Sequence, residues 1–280
     1  MTDYLVYDVF SDAPFGGNQL AVIPDASALP EEDFQRIARE FNFSETTFVL
    51  PPKNTENTAR VRIFTPTMEV PFAGHPLIGT AVALSDLGAS EQMTLELGIG
   101  PIKCHARDGC AQFTTSQDLE IIAEPEPTLV AEALGISTDK IQFSPHPPLL
   151  ATLGLAFTLT RLDHRDTLAA LAPDVAAFRK GRDLHPSSLD FAQFAYVREG
   201  DTIHARMFAP LDNIPEDPAT GSACATLAAL IAKLQARDVD LTIHQGDDMG
   251  RPSLIGAKTK GPAVTITGQA CVTMRGKLVY

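Results

Sequence analysis

Glu216-Asp217-Pro218-Ala219-Thr220-Gly221-Ser222-Ala223 runs directly into residues 224–234, a segment too uniformly apolar for a surface helix. Pro218 suits a first helical turn, and Asp217, Thr220 or Ser222 could each cap it. Gly221 lets the backbone approach a ligand. A helix start with free N–H groups, a glycine and a hydroxyl suits an anion. The stretch has an echo in Phe72-Ala73-Gly74-His75-Pro76, which opens a second small-and-apolar run, residues 77–84. Ahead of each sits the same short signature, Arg62-Ile63-Phe64-Thr65-Pro66 and Arg206-Met207-Phe208-Ala209-Pro210. The signatures are 144 apart (206 − 62) and the glycines 147 apart (221 − 74), so the second copy carries three extra residues just before its helix. This spacing predicts an ancient duplication, two half-molecules that each present the start of a buried helix.

A chain of 280 residues can bury a large core, and the repeat favours two domains over one. A net charge of −13 argues against nucleic acid and against an anionic membrane surface, which both need clustered Lys and Arg. Cys104, Cys110, Cys224 and Cys271 show no paired spacing and read as reduced thiols of a cytoplasmic protein. The first ten residues alternate like a strand rather than a charged-then-apolar leader, and no apolar run reaches membrane-spanning length.

Along the chain, residues 4–10, 19–23, 47–50 and 59–64 read as strands, with a helix opened by Pro30 that shows Phe34, Ile37, Ala38 and Phe41 on one face. Gly88 suits the end of the first buried helix, and residues 93–97 and 102–106 suit a hairpin. From Asp118 the texture changes. Glu124-Pro125-Glu126-Pro127 and Pro145-His146-Pro147-Pro148 bracket one short helix, read as a passage between halves. The plan then repeats: strand material over 149–159, an amphipathic helix over 166–178, strands over 191–197 and 202–208, the second buried helix, and strands to the end. Short strands dominate, with one buried helix per half. A doubly wound parallel sheet would need helices between successive strands. The expectation is an α+β fold, each half a sheet wrapped around its helix.

The seven histidines lack paired helical spacing, and Cys104, His105 and Cys110 do not match a zinc pattern. No phosphate loop, dinucleotide fingerprint or Gly-x-Ser-x-Gly elbow occurs. Glu45, at a helix-to-strand junction, reads either as a solvated loop acid or as a proton carrier. His75 reads as a cap or as a functional ring, which a helix dipole would keep neutral. Asp217 reads most simply as an N-cap. Gly74 and Gly221 permit tight packing, or close approach of a shared anion.

Asp12-Ala13-Pro14-Phe15-Gly16-Gly17-Asn18, Ser44-Glu45-Thr46-Thr47-Phe48-Val49, the two Arg-containing signatures, Phe72-Ala73-Gly74-His75-Pro76, the Glu216–Ala223 stretch, and Gln245-Gly246 with Gly250-Arg251-Pro252-Ser253 together resemble the PhzF family, named for the phenazine-biosynthesis isomerase. The match runs in order over almost the whole chain and is weakest over 118–190. The resemblance implies the diaminopimelate epimerase fold: two pseudo-symmetric halves, each a barrel-like, mostly antiparallel sheet around a central helix, with the active site between them. The implied division is 1–117 with 269–280 for one half and 118–268 for the other. It further implies Glu45 as the catalytic acid/base, with His75 and Asp217 contacting the substrate and assisting proton movement. Gly74, Gly221 and Ser222 match the positions that hold the substrate carboxylate.

The founding reaction isomerises trans-2,3-dihydro-3-hydroxyanthranilate with no cofactor and no metal, and the family resemblance implies a homodimer. One carboxylate can move a proton along a conjugated ring if water is excluded and burial raises its pKa. The paired-thiol epimerases of this fold place a cysteine at each helix start, and neither start has one here. Two other readings fit the same residues. One is a lyase or epimerase acting on an amino-acid-like substrate through Glu45. The other is a non-catalytic protein that binds a small molecule or a partner.

Overall fold

The computed structural model describes all residues from Met1 to Tyr280, and the chain forms two compact units. The first comprises Met1–Thr115 and Thr265–Tyr280, the second Ser116–Val264.

The first unit contains β1 (Thr2–Val9), β2 (Asn18–Ile23), α1 (Glu31–Phe41), β3 (Glu45–Leu50), β4 (Ala59–Phe64), β5 (Glu69–Val70), α2 (Gly74–Asp86), β6 (Gln92–Leu97), β7 (Gly100–Arg107) and β8 (Cys110–Thr115). Most of the last strand, β17 (Ala263–Leu278), belongs here too. Neighbours pair in the order β1, β2, β3, β4, β6, β7, β8, β17 and back to β1, a closed barrel. Closure leaves no open edge. The β2–β3 and β4–β6 pairs are parallel, and the other pairs with a stated direction are antiparallel. Thr114 and Thr265 share a hydroxyl contact of 2.8 Å where β8 meets β17.

Helix α2 contacts β1, β2, β3, β7 and β8, so it occupies the barrel interior. That position explains its composition. Residues 74–83 are all buried, and such a helix has no need of a polar face. It ends in a Schellman motif: the Gly88 amide donates to Ser85 O (3.0 Å) and the Ala89 amide to Leu84 O (2.9 Å), with Gly88 at φ +94°. Helix α1 lies outside and is amphipathic. Phe34, Ile37 and Ala38 face inward, and Phe34 stacks on Phe48 at 4.3 Å. Glu31, Glu32 and Asp33 complement the dipole in the first turn, and Asn42 ends the helix in the left-handed region.

The second unit contains β9 (Glu120–Ala123), α3 (Pro127–Leu134), β10 (Leu149–Thr152), β11 (Ala156–Arg161), α4 (Arg165–Ala169), α5 (Val175–Leu184), β12 (Gln193–Glu199), β13 (Thr202–Ala209), β14 (Ile214–Asp217), α6 (Gly221–Gln235), β15 (Asp240–Gln245) and β16 (Ser253–Lys260). From β10 to β16 the pairings repeat those of β1 to β7 step for step. They run antiparallel, parallel, antiparallel, an antiparallel side strand, parallel, antiparallel. Helix α6 contacts β10, β11, β15 and β16, in the role of α2. The repeat seen in the sequence is a repeat of topology. The extra residues of the second copy fall between Arg206 and Asp217, where a 3-10 turn (Pro210–Asp212) and a register shift in the β13–β14 ladder occur.

Three expectations need correction. The helix expected over 166–178 is two helices, because Pro173 lacks an amide donor and Asp174 caps α5 through the amides of Ala176 and Ala177. The proline-bracketed passage is no linker. Strand β9 pairs with β10, and α3 contributes Leu129, Val130 and Leu134 to a core shared with Phe178, Phe191 and Phe208. Asp217 is not an N-cap. It ends β14, opposite Met207, and Thr220 holds the cap position of α6 without a side-chain capping bond.

Candidate active site

In the first unit, β3 and α2 bring Glu45, Gly74 and His75 together. Glu45 is the first residue of β3, held in register by its parallel pairing with Leu20. Gly74 and His75 are the first two residues of α2. His75 Nδ1 lies 3.3 Å from Glu45 Oε2, and the two side chains are only 5% and 14% exposed. Burial therefore decides against a solvated loop acid at position 45.

The imidazole pKa is pushed down to about 3, chiefly by desolvation and partly offset by the Gln19 backbone. The ring is neutral near pH 7, so its contact with Glu45 is not an ion pair. The dipole argument gives the same direction, but burial is the larger cause. Nε2 is buried and makes no hydrogen bond of acceptable geometry, despite the nearby Gln19 backbone. A neutral imidazole against a carboxyl group can accept, donate or relay a proton at either nitrogen.

In the second unit, Gly221 and Ser222 open α6, and Asp217 ends β14 four residues ahead of it. Asp217 is buried, and the Thr220 hydroxyl donates to its Oδ2 at 2.6 Å. Gln245, at the end of β15, donates from Nε2 to the Asp217 carbonyl (2.7 Å) and to Thr220 Oγ1 (2.9 Å), while its Oε1 accepts from the Thr220 amide (3.1 Å). The Cys224 amide bonds to Thr220 O (3.0 Å). The amides of Gly221, Ser222 and Ala223 lie ahead of that bond, in the part of a helix where N–H groups have no partner within it. Gly246, at φ +78°, follows Gln245. A Cβ there would strike the carbonyl oxygens of Pro218 and Arg251, so glycine is needed for β15 to end against the Asp217–Pro218 segment.

Thr220 and Gln245 were not among the site residues expected from sequence, where Thr220 was only a possible cap. The signal for Gln245 was its place just before the Gly246 turn. Its role needs the parallel β13–β15 pairing, which sets Gln245 beside Ala205. Cys224, one turn into α6, is fully buried and its thiol pKa is pushed up by desolvation, so it does not supply an epimerase thiol.

Residues 7–276 match the family model described as phenazine biosynthesis-like protein. The chain belongs to this family. It is 37% identical to the trans-2,3-dihydro-3-hydroxyanthranilate isomerase of Pseudomonas fluorescens, over 100% of both chains. It is 36% identical to an uncharacterised isomerase of Mesorhizobium japonicum, covering 99% of this chain and 98% of that one. Among solved structures, a Bacillus anthracis phenazine biosynthesis protein of the PhzF family superposes with a TM-score of 0.88 over 100% of this chain and 99% of that one. At 21% identity that superposition speaks to the fold alone. The PhzF fold is therefore the α+β architecture of two similar halves, each a sheet around a buried helix.

Proposed function

We propose that this protein is a PhzF-type isomerase that moves a proton on a small carboxylate-bearing substrate, with trans-2,3-dihydro-3-hydroxyanthranilate as the first candidate. The observation that carries the reading is the buried Glu45–His75 pair at 3.3 Å. Glu45 takes a proton from carbon and returns it further along the conjugated system, which needs no cofactor. His75, neutral at the working pH, stabilises charge that develops on the substrate. Asp217 is a second polar contact. The Gly74 and Gly221 backbones and the Ser222 hydroxyl hold the substrate carboxylate. The reading extends to a homodimer in the cytoplasm. The four free cysteines support the compartment, the family resemblance supports the dimer, and light scattering tests the latter.

The test is proton NMR of trans-2,3-dihydro-3-hydroxyanthranilate in heavy water with the wild type and Glu45→Gln. The wild type is expected to rearrange the ring protons, and the variant to lose turnover by a factor on the order of 10³ or more while its thermal unfolding stays unchanged. Normal turnover by Glu45→Gln removes Glu45 from the chemistry. No turnover by either protein leaves the isomerase reading but changes the substrate. Loss of water from the compound, rather than isomerisation, favours the lyase reading.

A further inference from the structure

Three buried side chains of the second unit form a hydrogen-bond chain with a fixed direction. Gln245, Thr220 and Asp217 are 1%, 7% and 5% exposed. The Gln245 amide has only one orientation compatible with its neighbours. Its oxygen faces an N–H donor, the Thr220 amide, and its nitrogen faces a carbonyl acceptor, Asp217 O. That orientation places an N–H donor against Thr220 Oγ1 at 2.9 Å. A hydroxyl that accepts there must send its own proton elsewhere, and Asp217 Oδ2 lies 2.6 Å away.

From this geometry we infer that Gln245 and Thr220 are positioning residues that act through Asp217. Gln245 orients the Thr220 hydroxyl, and the hydroxyl fixes one oxygen of the Asp217 carboxylate and favours its ionised form. The inference rests on Asp217 belonging to the site proposed above. Gln245 also takes up the Thr220 amide ahead of α6, so the carboxylate and the helix start are set by one side chain from β15.

A hydroxyl donor at this distance to a buried carboxylate favours the charged form. Its loss should raise the Asp217 titration midpoint by about one to two pH units. Thr220→Val removes the hydroxyl at constant shape, and Thr220→Ser keeps it. Gln245→Met removes the donor to Oγ1 at similar length without adding a charge beside Asp217.

The experiment is a carbon-13 NMR titration of the aspartate carboxyl groups in the full-length chain, with Asp217→Asn identifying the Asp217 resonance. Unfolding curves of each variant accompany it. The midpoint is expected to move up in Thr220→Val and, by less, in Gln245→Met, and to return to the wild-type value in Thr220→Ser. A purely structural role for the pair would lower the unfolding midpoint and leave the Asp217 titration where it was. Identical titration in wild type and Thr220→Val, including no titration in either, overturns the inference. A shift that Thr220→Ser fails to reverse also overturns it. The readout needs no substrate, so a wild type inactive on the dihydrohydroxyanthranilate would fail the proposed substrate without touching this result. Where a substrate is turned over, Thr220→Val should lower kcat more than it raises KM.

Discussion

The two units each place a carboxylate beside the start of a buried helix, but on different strands of the repeated plan. Arg62 pairs with Phe48 and Arg206 with Ala195, so Phe48 corresponds to Ala195 and, three residues earlier, Glu45 corresponds to Ala192. Ile63 pairs with Val70 and Met207 with Asp217, so Asp217 corresponds to Val70. The helix starts themselves align, Gly74 with Gly221 and His75 with Ser222 (both 147 apart). Each copy thus keeps one acid where the other is apolar. The surroundings differ too. Glu45 meets an imidazole, whereas Asp217 meets an oriented hydroxyl tied to Gln245. The repeat preserved the scaffold and diverged in the side chains, which fits the separate roles proposed for the two acids above.

The two signature arginines offer the strongest test of how far the copies have diverged. In both, Nε and Nη2 form a fork on a glutamate of the following short strand or its loop, Glu69 for Arg62 and Glu216 for Arg206. In the first unit Nη1 reaches Glu31, at the start of α1, and in the second it reaches the carbonyls of Leu168, Ala169 and Leu171 around the end of α4. The glutamates of Arg62 are well exposed, while Glu216 is only 17% exposed. Arg206→Met should destabilise by about 2–4 kcal/mol, because it strands a largely shielded carboxylate and three carbonyls. Arg62→Met should cost about 1 kcal/mol or less from its ion pairs, since solvent screens them. Urea unfolding of the two variants decides. Equal costs would mean that the arginines are interchangeable staples and that the asymmetry lies only at the helix starts.

The second test uses the one titrating side chain at those starts. His75 has a folded pKa of about 3, against 6.5 for an unperturbed ring. Between these values the unfolded chain binds a proton that the folded chain refuses. Its contribution to stability is therefore complete above pH 6.5 and falls as the pH drops toward 3, by about 1.4 kcal/mol per unit. Ser222, its counterpart, contributes no such slope. His75→Gln should flatten the stability profile between pH 6.5 and 4.5, where wild type loses about 3 kcal/mol from this group. An unchanged slope in the variant would show that the ring is not held neutral by burial.

Much of this was legible in the chain. The Arg-containing signatures and the glycine offset exposed the duplication, and the uniformly apolar segments after Gly74 and Gly221 identified the central helices because nothing else in a small barrel tolerates apolar residues on every side. What stayed hidden depends on partners distant in sequence. Asp217 looks like a cap when read with Pro218 alone, and becomes a strand end only when Met207 is seen opposite it. Gln245 stands in a motif of the family resemblance, but its hydrogen bonds to Thr220 appear only once β15 is paired with β13. The split between α4 and α5 was readable from Pro173 but was masked by apolar spacing that continues through it. The proline-rich passage looked like a linker because composition reports backbone stiffness, not the burial of Leu129, Val130 and Leu134.

The smallest effect concerns how each central helix is fixed to its barrel. Thr80 of α2 donates to Thr47 of β3 at 2.9 Å, with both side chains fully buried, two residues along the strand from Glu45. The corresponding positions in the second unit are Phe194 and Leu227 (both 147 later), also fully buried. One copy joins helix to strand by a hydroxyl pair and the other by apolar packing. Thr80→Val alone leaves Thr47 without this partner and should cost about 1–2 kcal/mol, and Thr47→Val a similar amount. The double variant replaces both hydroxyls with methyl groups of the same shape and should lie within about 1 kcal/mol of wild type, a coupling measurable by a double-mutant cycle. Additive losses would mean that the hydroxyls answer to other groups and that the first unit cannot accept the apolar solution of the second. Near-wild-type stability with reduced turnover would be more informative. It would show that the pair is dispensable for the fold and retained to hold the Glu45 strand against the His75 helix.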